Sequence, residues 1–287
     1  MPSLRLLSRR IRSVENTAKV THAMELIAAS KMRRAQNAVM AGRAYSEMIQ
    51  RVMANLEAQP EEEEDANALL AHRTVKNIGV LHMTPDRGLC GGLHGNMNRA
   101  LAQFILRQRP TPVRIIAVGR KGRDFMIRAN QEVKAVYTNI TDRPGVDDIL
   151  PISQMVLNDY KRAEIDEVYL AYPQFVSTVS QVPTIKRLLP VEPADIPVDA
   201  RVGYIYEPSA SAVLDGLLPR FVEMQIFHAL LELNASEQSA RMVAMRNATD
   251  SANEMVDDLT LDLNRVRQDN ITSELLDIIG GAAALEG

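Results

Sequence analysis

The stretch Leu4-Arg-Leu-Leu-Ser-Arg-Arg-Ile-Arg-Ser-Val14 opens a pattern that decides the fold. Stepping onward from Leu4 by alternate threes and fours meets Leu7, Ile11, Val14, Ala18, Thr21, Glu25, Ala28, Met32, Ala35, Val39, Gly42, Ser46, Ile49, Met53 and Leu56. Only Glu25 and Ser46 are plainly wrong for a buried seam, and no proline intervenes between Pro2 and Pro60. A 3.5-residue period held for about seven heptads specifies a left-handed coiled coil, since a lone amphipathic helix follows 3.6. At 1.5 Å per residue the rod is roughly 80 Å long, more than one compact domain covers.

The other end of the chain repeats the device. From Leu214 the same step gives Leu217, Phe221, Met224, His228, Leu231, Ala235, Gln238, Met242, Met245, Thr249, Ala252, Val256, Leu259, Leu263 and Val266. Pro219 is placed in the first turns, where a proline costs least. After Val266 the register breaks, and Ile271, Leu275, Ile278, Ala282 and Leu285 follow from a shifted origin. An antiparallel pair sets Leu4 opposite a residue near 264. What lies beyond has no partner in the chain and does not need the 3.5 period. Some 20 residues, roughly 30 Å of single helix, are therefore expected to project.

Charge divides along the same line. From 1 to 56 ten Lys/Arg stand against three Glu, a balance of +7; from 209 to 287 five Arg stand against thirteen Asp/Glu, a balance of −8. A basic arm alone would suggest nucleic acid; with an acidic arm in the same chain, each is expected to serve partly as the other's partner. Aromatics make up 4% of the chain, with no Trp and fourteen Met, which suits helix seams better than thick sheet sandwiches. Cys90 is the only cysteine, so no internal disulfide forms, and no run of about 18 apolar residues is present to cross a membrane. The opening Met-Pro-Ser-Leu-Arg lacks the apolar core of a secretory signal.

Between the rods the pattern changes. An acidic, proline-marked run at 59–65 reads as solvated linker. Strands are expected over 76–83, 113–118, 167–172 and 180–188, and helices over 93–108, 121–129 and 147–162, with 202–206 a candidate edge strand. Alternating β and α units argue for a parallel-rich sheet covered by helices. The expected fold is thus α/β: a long antiparallel two-helix coiled coil formed by both termini, plus a central Rossmann-like domain. Its divisions are a helix at 1–58, an acidic linker at 59–74, a globular domain at 75–208, and a helix with a projecting end at 209–287.

Two glycine turns are candidates for chemistry. Asp86-Arg-Gly-Leu-Cys-Gly-Gly92 and Gly119-Arg-Lys-Gly122 each follow a strand and open a helix, where free N–H groups can hold phosphate. Neither matches G-x-x-x-x-G-K-[ST] or G-x-G-x-x-G, so tight turning is the favoured reading over a nucleotide site. His22, His72, His82, His94 and His228 lack metal-ligand spacing, Cys90 near His94 is read as a packing residue, and no acid pair stands out. No catalytic site, cofactor or metal is expected. The competing readings are an α/β enzyme with dimerisation arms and a nucleic-acid or cytoskeletal tether.

Four stretches carry a resemblance: Thr21-His-Ala-Met-Glu-Leu-Ile-Ala-Ala-Ser-Lys-Met-Arg-Arg-Ala35, the turn at 86–92, Ser236-Glu-Gln-Ser-Ala-Arg-Met-Val-Ala-Met-Arg-Asn-Ala-Thr-Asp250, and Ile271-Thr-Ser-Glu-Leu-Leu-Asp-Ile-Ile-Gly-Gly-Ala-Ala-Ala-Leu285. In this order they resemble the signatures of the gamma subunits of rotary ATP synthases, of bacterial type. His94 stands where that family usually has Asn, and the chloroplast type's cysteine-bearing insertion is absent. The resemblance implies a non-catalytic rotor shaft of a proton-translocating ATP synthase. It implies as partners the alpha and beta subunits of the catalytic hexamer, the epsilon subunit and the membrane c ring, with no nucleic acid. It places the chain peripherally at the cytoplasmic face of a bacterial plasma membrane. Met24, Arg267, Gln268 and Thr272 are then expected to meet beta subunits. Tyr204, Tyr206 and Glu207 are expected to meet the c ring and epsilon.

Overall fold

The computed structural model describes residues 4–57, 67–192 and 210–286. The acidic run, the candidate edge strand, and Tyr204, Tyr206 and Glu207 lie outside them. Two long helices bound the chain, α1 (Leu4–Glu57) and α5 (Ala210–Glu286). Contacts divide it into two compact units, one of Met1–Ile27 with Met242–Gly287 and one of Ala28–Arg241.

The first unit is a pair of antiparallel helices. The Thr21 and Thr249 hydroxyl oxygens lie 2.7 Å apart across the seam, and four residues on from Thr21, Glu25 Oε1 meets Nε of Arg246 at 2.9 Å. Carried back to the helix start, this register sets Leu4 beside Val266. Every expected seam position from 4 to 25 and from 242 to 266 is buried or half-buried. From 267 to 281 every residue is exposed. The period and the burial therefore end together. Glu25 earns its seam place through the Arg246 hydrogen bond, which holds its carboxyl below the ordinary carboxylate range. The charge division pairs less than expected. Among the described residues of this unit, the ion pair between the helices joins an acid of the basic arm to an arginine of the acidic one. Arg5, Arg9, Arg10, Arg12 and Lys19 occupy outward positions and face water.

The second unit is built on a five-stranded sheet ordered β3-β2-β1-β4-β5: β1 (Ile78–Met83), β2 (Val113–Val118), β3 (Val133–Tyr137), β4 (Glu167–Ser177) and β5 (Ser180–Leu189). The first four run parallel and β5 returns antiparallel to β4. β1 is buried along its whole length, as a central strand covered on both faces should be. Ile78 and Val80 pack with Met97 and Leu101 of α2 (Leu93–Arg107) and Met126 of α3 (Arg120–Arg128). Leu81 and Met83 pack with Ile152 and Val156 of α4 (Leu150–Lys161) and with Leu218, Val222 and Ile226 of α5. The chain moves outward from β1 to β3, then returns over α4 to lay β4 on the other side of β1, so the winding reverses between β1 and β4.

Other features also differ from the sequence reading, among them β3, a strand that the sequence pattern does not mark. α5 keeps its expected seam, with Leu231 and Ala235 packing on Ala35 and Val39 of α1. It also buries the opposite side against the sheet, so 221–239 is covered nearly all round. Pro219 sits well inside the helix rather than in its first turns. The lost backbone bond is offset by burial of its neighbours Leu218, Phe221 and Val222.

Candidate functional site

The carboxyl ends of parallel strands, beside the point where winding reverses, are where α/β folds hold ligands. Both glycine turns lie there, after β1 and after β2. The second is closed by the chain itself. At the start of α3 the Arg120 N–H donates to Asp86 Oδ1 (2.9 Å), the Lys121 N–H to the Pro85 carbonyl (3.2 Å) and the Gly122 N–H to Thr84 Oγ1 (2.7 Å). Asp86 also accepts from the Asn139 N–H at 2.7 Å. A carboxylate of the protein thus stands where a phosphate would, taking the favourable site at a helix N-terminus. The glycines are there for closeness: a Cβ on Gly119, at φ 96°, would lie 1.8 Å from the Thr84 carbonyl oxygen, and one on Gly122 would meet His82 and Thr84. The nucleotide-enzyme reading fails at this turn on those contacts.

The first turn is held by the long helix. Arg241 of α5 donates to the Gly88 carbonyl at 3.3 Å and pairs with Glu237 at 2.7 Å. Burial pushes the Glu237 carboxyl up, while Arg241 pulls it back. The loop after β3 is tied from both rods, by Lys31 to the Asp142 carboxylate (2.5 Å) and by Asn234 Nδ2 to the Asp142 carbonyl (2.9 Å).

β4 carries the fullest contact. It pairs with β1 only as far as Ala171 but runs on to Ser177, so its last part has a strand neighbour on one side alone, β5. Side chains of α5 satisfy the other edge. The Phe175 N–H donates to Glu232 Oε2 (2.7 Å), Ser236 Oγ to the Pro173 carbonyl (2.9 Å) and Ser239 Oγ to the Thr178 carbonyl (2.6 Å). Spacings of four and three set these residues on one helix face, and all three are buried. The sequence shows Ser236 to Arg241 within a signature stretch and does not mark this task; the available signal was the spacing of four and three that sets Glu232, Ser236 and Ser239 on one helix face.

The remaining reactive groups are structural. His82, fully buried on β1, binds Asn98 Oδ1 through Nε2 at 2.8 Å, and burial lowers its pKa to about 4, so it is neutral at pH 7. Cys90 is buried with its thiol pushed up by burial, 3.8 Å from His94 Nδ1, which suits packing and not thiol chemistry. Among the described residues no cluster of His, Cys, Asp or Glu could hold a metal, and no helix is long and apolar enough to cross a membrane.

A family model described as ATP synthase matches residues 3–285. The chain is 55% identical over 99% of its length to an ATP synthase gamma chain of Dehalococcoides mccartyi, covering all of that protein. It belongs to the ATP synthase gamma chain family. The gamma chain of Chloroflexus aurantiacus is 48% identical, with 99% of both chains covered. Among solved structures, a chain of the Euglena gracilis mitochondrial ATP synthase aligns at TM-score 0.67 and 17% identity, over 98% of this chain and 94% of that one. A chain of the Tetrahymena thermophila mitochondrial ATP synthase central stalk and c-ring aligns at TM-score 0.63 and 24% identity, over 80% and 99%. These distant likenesses support the fold of paired terminal helices around a central α/β domain. A gamma chain is a non-catalytic subunit of a complex whose activity is ATP synthesis, which accords with a carboxyl edge built for the chain's own helix.

Within this gamma-family chain the candidate contact residues do not form one cluster. Arg267, Gln268 and Thr272 lie on the exposed end of α5, with Ile271, Leu275, Leu276, Ile278 and Ile279, which are 51–68% exposed. Met24 is half-buried on α1, next in sequence to Glu25, whose partner Arg246 lies 21 residues and roughly 30 Å of helix before Arg267.

Proposed function

We infer that the chain is the central shaft of a proton-translocating ATP synthase and couples rotation of the membrane c ring to shape changes at the catalytic beta subunits. Its family membership gives the complex. The observation that carries the role is the helix α5, which runs past the end of its partner and shows a continuous exposed surface from 267 to 281. A single helix with large apolar side chains in water is suited to a bearing made by other chains.

In this reading the rod pair (1–58 with 209–287) enters the ring of alpha and beta subunits, while the domain at 75–208, joined through the linker 59–74, meets the c ring and epsilon. Met24, Arg267, Gln268 and Thr272 meet beta subunits in turn; Tyr204, Tyr206 and Glu207 meet the c ring and epsilon. Because the shaft is asymmetric, each beta subunit faces a different side at any moment, which shifts its population among open, loose and tight states. The related solved assemblies, a central stalk with its c-ring and an F1 with its c-ring, support this assignment of partners. So placed, the chain is peripheral, on the cytoplasmic side of the bacterial membrane. Arg267→Ala tests the reading in reconstituted complex: ATP synthesis per assembled complex is expected to fall several-fold with assembly retained. Unchanged synthesis at equal assembly removes Arg267 from the coupling contacts.

A further inference from the structure

We propose that Glu232, Ser236 and Ser239 act as a side-chain substitute for a sheet strand, locking the β4–β5 hairpin to α5 so that hairpin and shaft turn as one body. They are positioning residues, acting through the hairpin and touching no substrate. The proposal rests on the rotor reading for its purpose and on this chain's own geometry for its existence.

A strand edge left unpaired inside a protein costs free energy at each bare N–H and C=O, and is ordinarily covered by another strand. β4 outruns β1 by six residues, from Tyr172 to Ser177. Its free edge meets α5, whose backbone groups are consumed by its own helix and can give nothing. The helix answers with side chains at matched intervals: an acceptor, Glu232, for the Phe175 N–H on that edge, a hydroxyl donor, Ser236, for the Pro173 carbonyl on it, and a second, Ser239, for the Thr178 carbonyl in the turn that follows β4. The apolar contact nearby, Phe175 against Leu231 and Ala235, resists separation but has little directional preference. Hydrogen bonds are directional and short-ranged, so they oppose sliding of the hairpin along or around the helix. A shaft that receives torque through the α/β unit needs that resistance, because slip there would be lost twist. A carboxylate acceptor makes the link to Phe175 charge-assisted and the strongest of the three.

The test has two arms. In the full-length chain, amide exchange is read at Phe175 for Glu232→Ala, for the double variant Ser236→Ala/Ser239→Ala, and for Glu232→Gln, which keeps an acceptor. Exchange is expected to speed about tenfold or more at Phe175 in Glu232→Ala, and Glu232→Gln to restore most of the protection. Equal exchange in wild type and Glu232→Ala overturns the clamp. If Glu232→Ala does not fold, the double variant serves: hairpin amides at wild-type protection would overturn the clamp equally. In assembled complex, the ratio of ATP-driven ion pumping to ATP hydrolysis is expected to drop in the double variant at equal assembly and recover with Ser restored. A faster-exchanging hairpin with an unchanged ratio overturns the torque role. A wild-type chain that supports no rotation sinks the rotor reading instead, and leaves the exchange result standing.

Discussion

His82 gives the chain an acid-labile point whose size follows from its surroundings. It is buried among α2, α3 and β1, its Nε2 bound to Asn98, and its pKa is lowered to about 4 from 6.5 by burial. The folded pKa lies below the unfolded one, so the neutral ring's contribution is complete above pH 6.5. Between pH 6.5 and 4 the unfolded chain binds a proton that the folded chain refuses, and stability falls by about 1.4 kcal/mol per pH unit. Over that window the loss reaches about 3 kcal/mol and then stops. The assay is urea unfolding followed by tyrosine emission, since Tyr137, Tyr160, Tyr169 and Tyr172 all belong to the α/β unit. His82→Gln is the reference: it lowers stability at neutral pH but removes the titration, and carboxylates that titrate near pH 4 cancel between the two proteins. The gap between wild type and variant should narrow by about 3 kcal/mol from pH 7 to pH 4. Parallel pH profiles would show that the reasoning about burial is wrong.

Gly119→Ala should abolish stable folding of the α/β unit, because its Cβ meets the Thr84 carbonyl, whereas Gly91→Ala, also at positive φ but with nothing within 4 Å, should cost only about 1–2 kcal/mol; thermal unfolding separates them. Arg241→Met should destabilise by about 1–2 kcal/mol, since it leaves the half-buried Glu237 without its partner, and Glu237→Gln in the same chain should recover part of that on denaturant titration. Leu276→Ser should leave the melting temperature of the isolated chain within about 1 °C, because that side chain is exposed; if the shaft reading proposed above holds, it should also weaken capture of alpha and beta subunits in a pull-down.

The rods were legible because a seam repeats: one apolar side chain every 3.5 residues over dozens of positions leaves a signal no local exception erases, and its end at Val266 marks where burial ends. The second buried face of α5 was not legible, because Leu218, Val222, Ile226 and Leu230 fill gaps between seam residues and widen the apolar stripe until its edges no longer mark one face. β3 was missed for the opposite reason: Val133-Lys-Ala-Val-Tyr137 is a short edge strand with alternately exposed residues and no Pro or Gly mark at its ends. The tight turn at 119–122 was legible, and the close approach of Gly119 and Gly122 to Thr84 and His82 accounts for its glycines. Asp86 as the cap of α3 was out of reach, since it is 34 residues from Arg120. The same holds for Arg241 and Gly88, 153 residues apart. A sequence shows which residues are polar on an apolar helix, but not which distant carbonyl each one meets.

The pairing of Thr21 with Thr249 spans 228 residues. At a synthesis rate of about 5–20 residues per second, the first helix waits roughly 10 to 45 s on the ribosome before its mate exists. Throughout that interval the part of its inner stripe from Leu4 to Glu25 lacks the α5 residues on which it packs. The stripe is correspondingly lean, with Ala18, Thr21, Ala28 and Ala35 where bulkier side chains would grip harder. Small residues there limit the early helix's attraction for wrong neighbours while the rest of the chain is made.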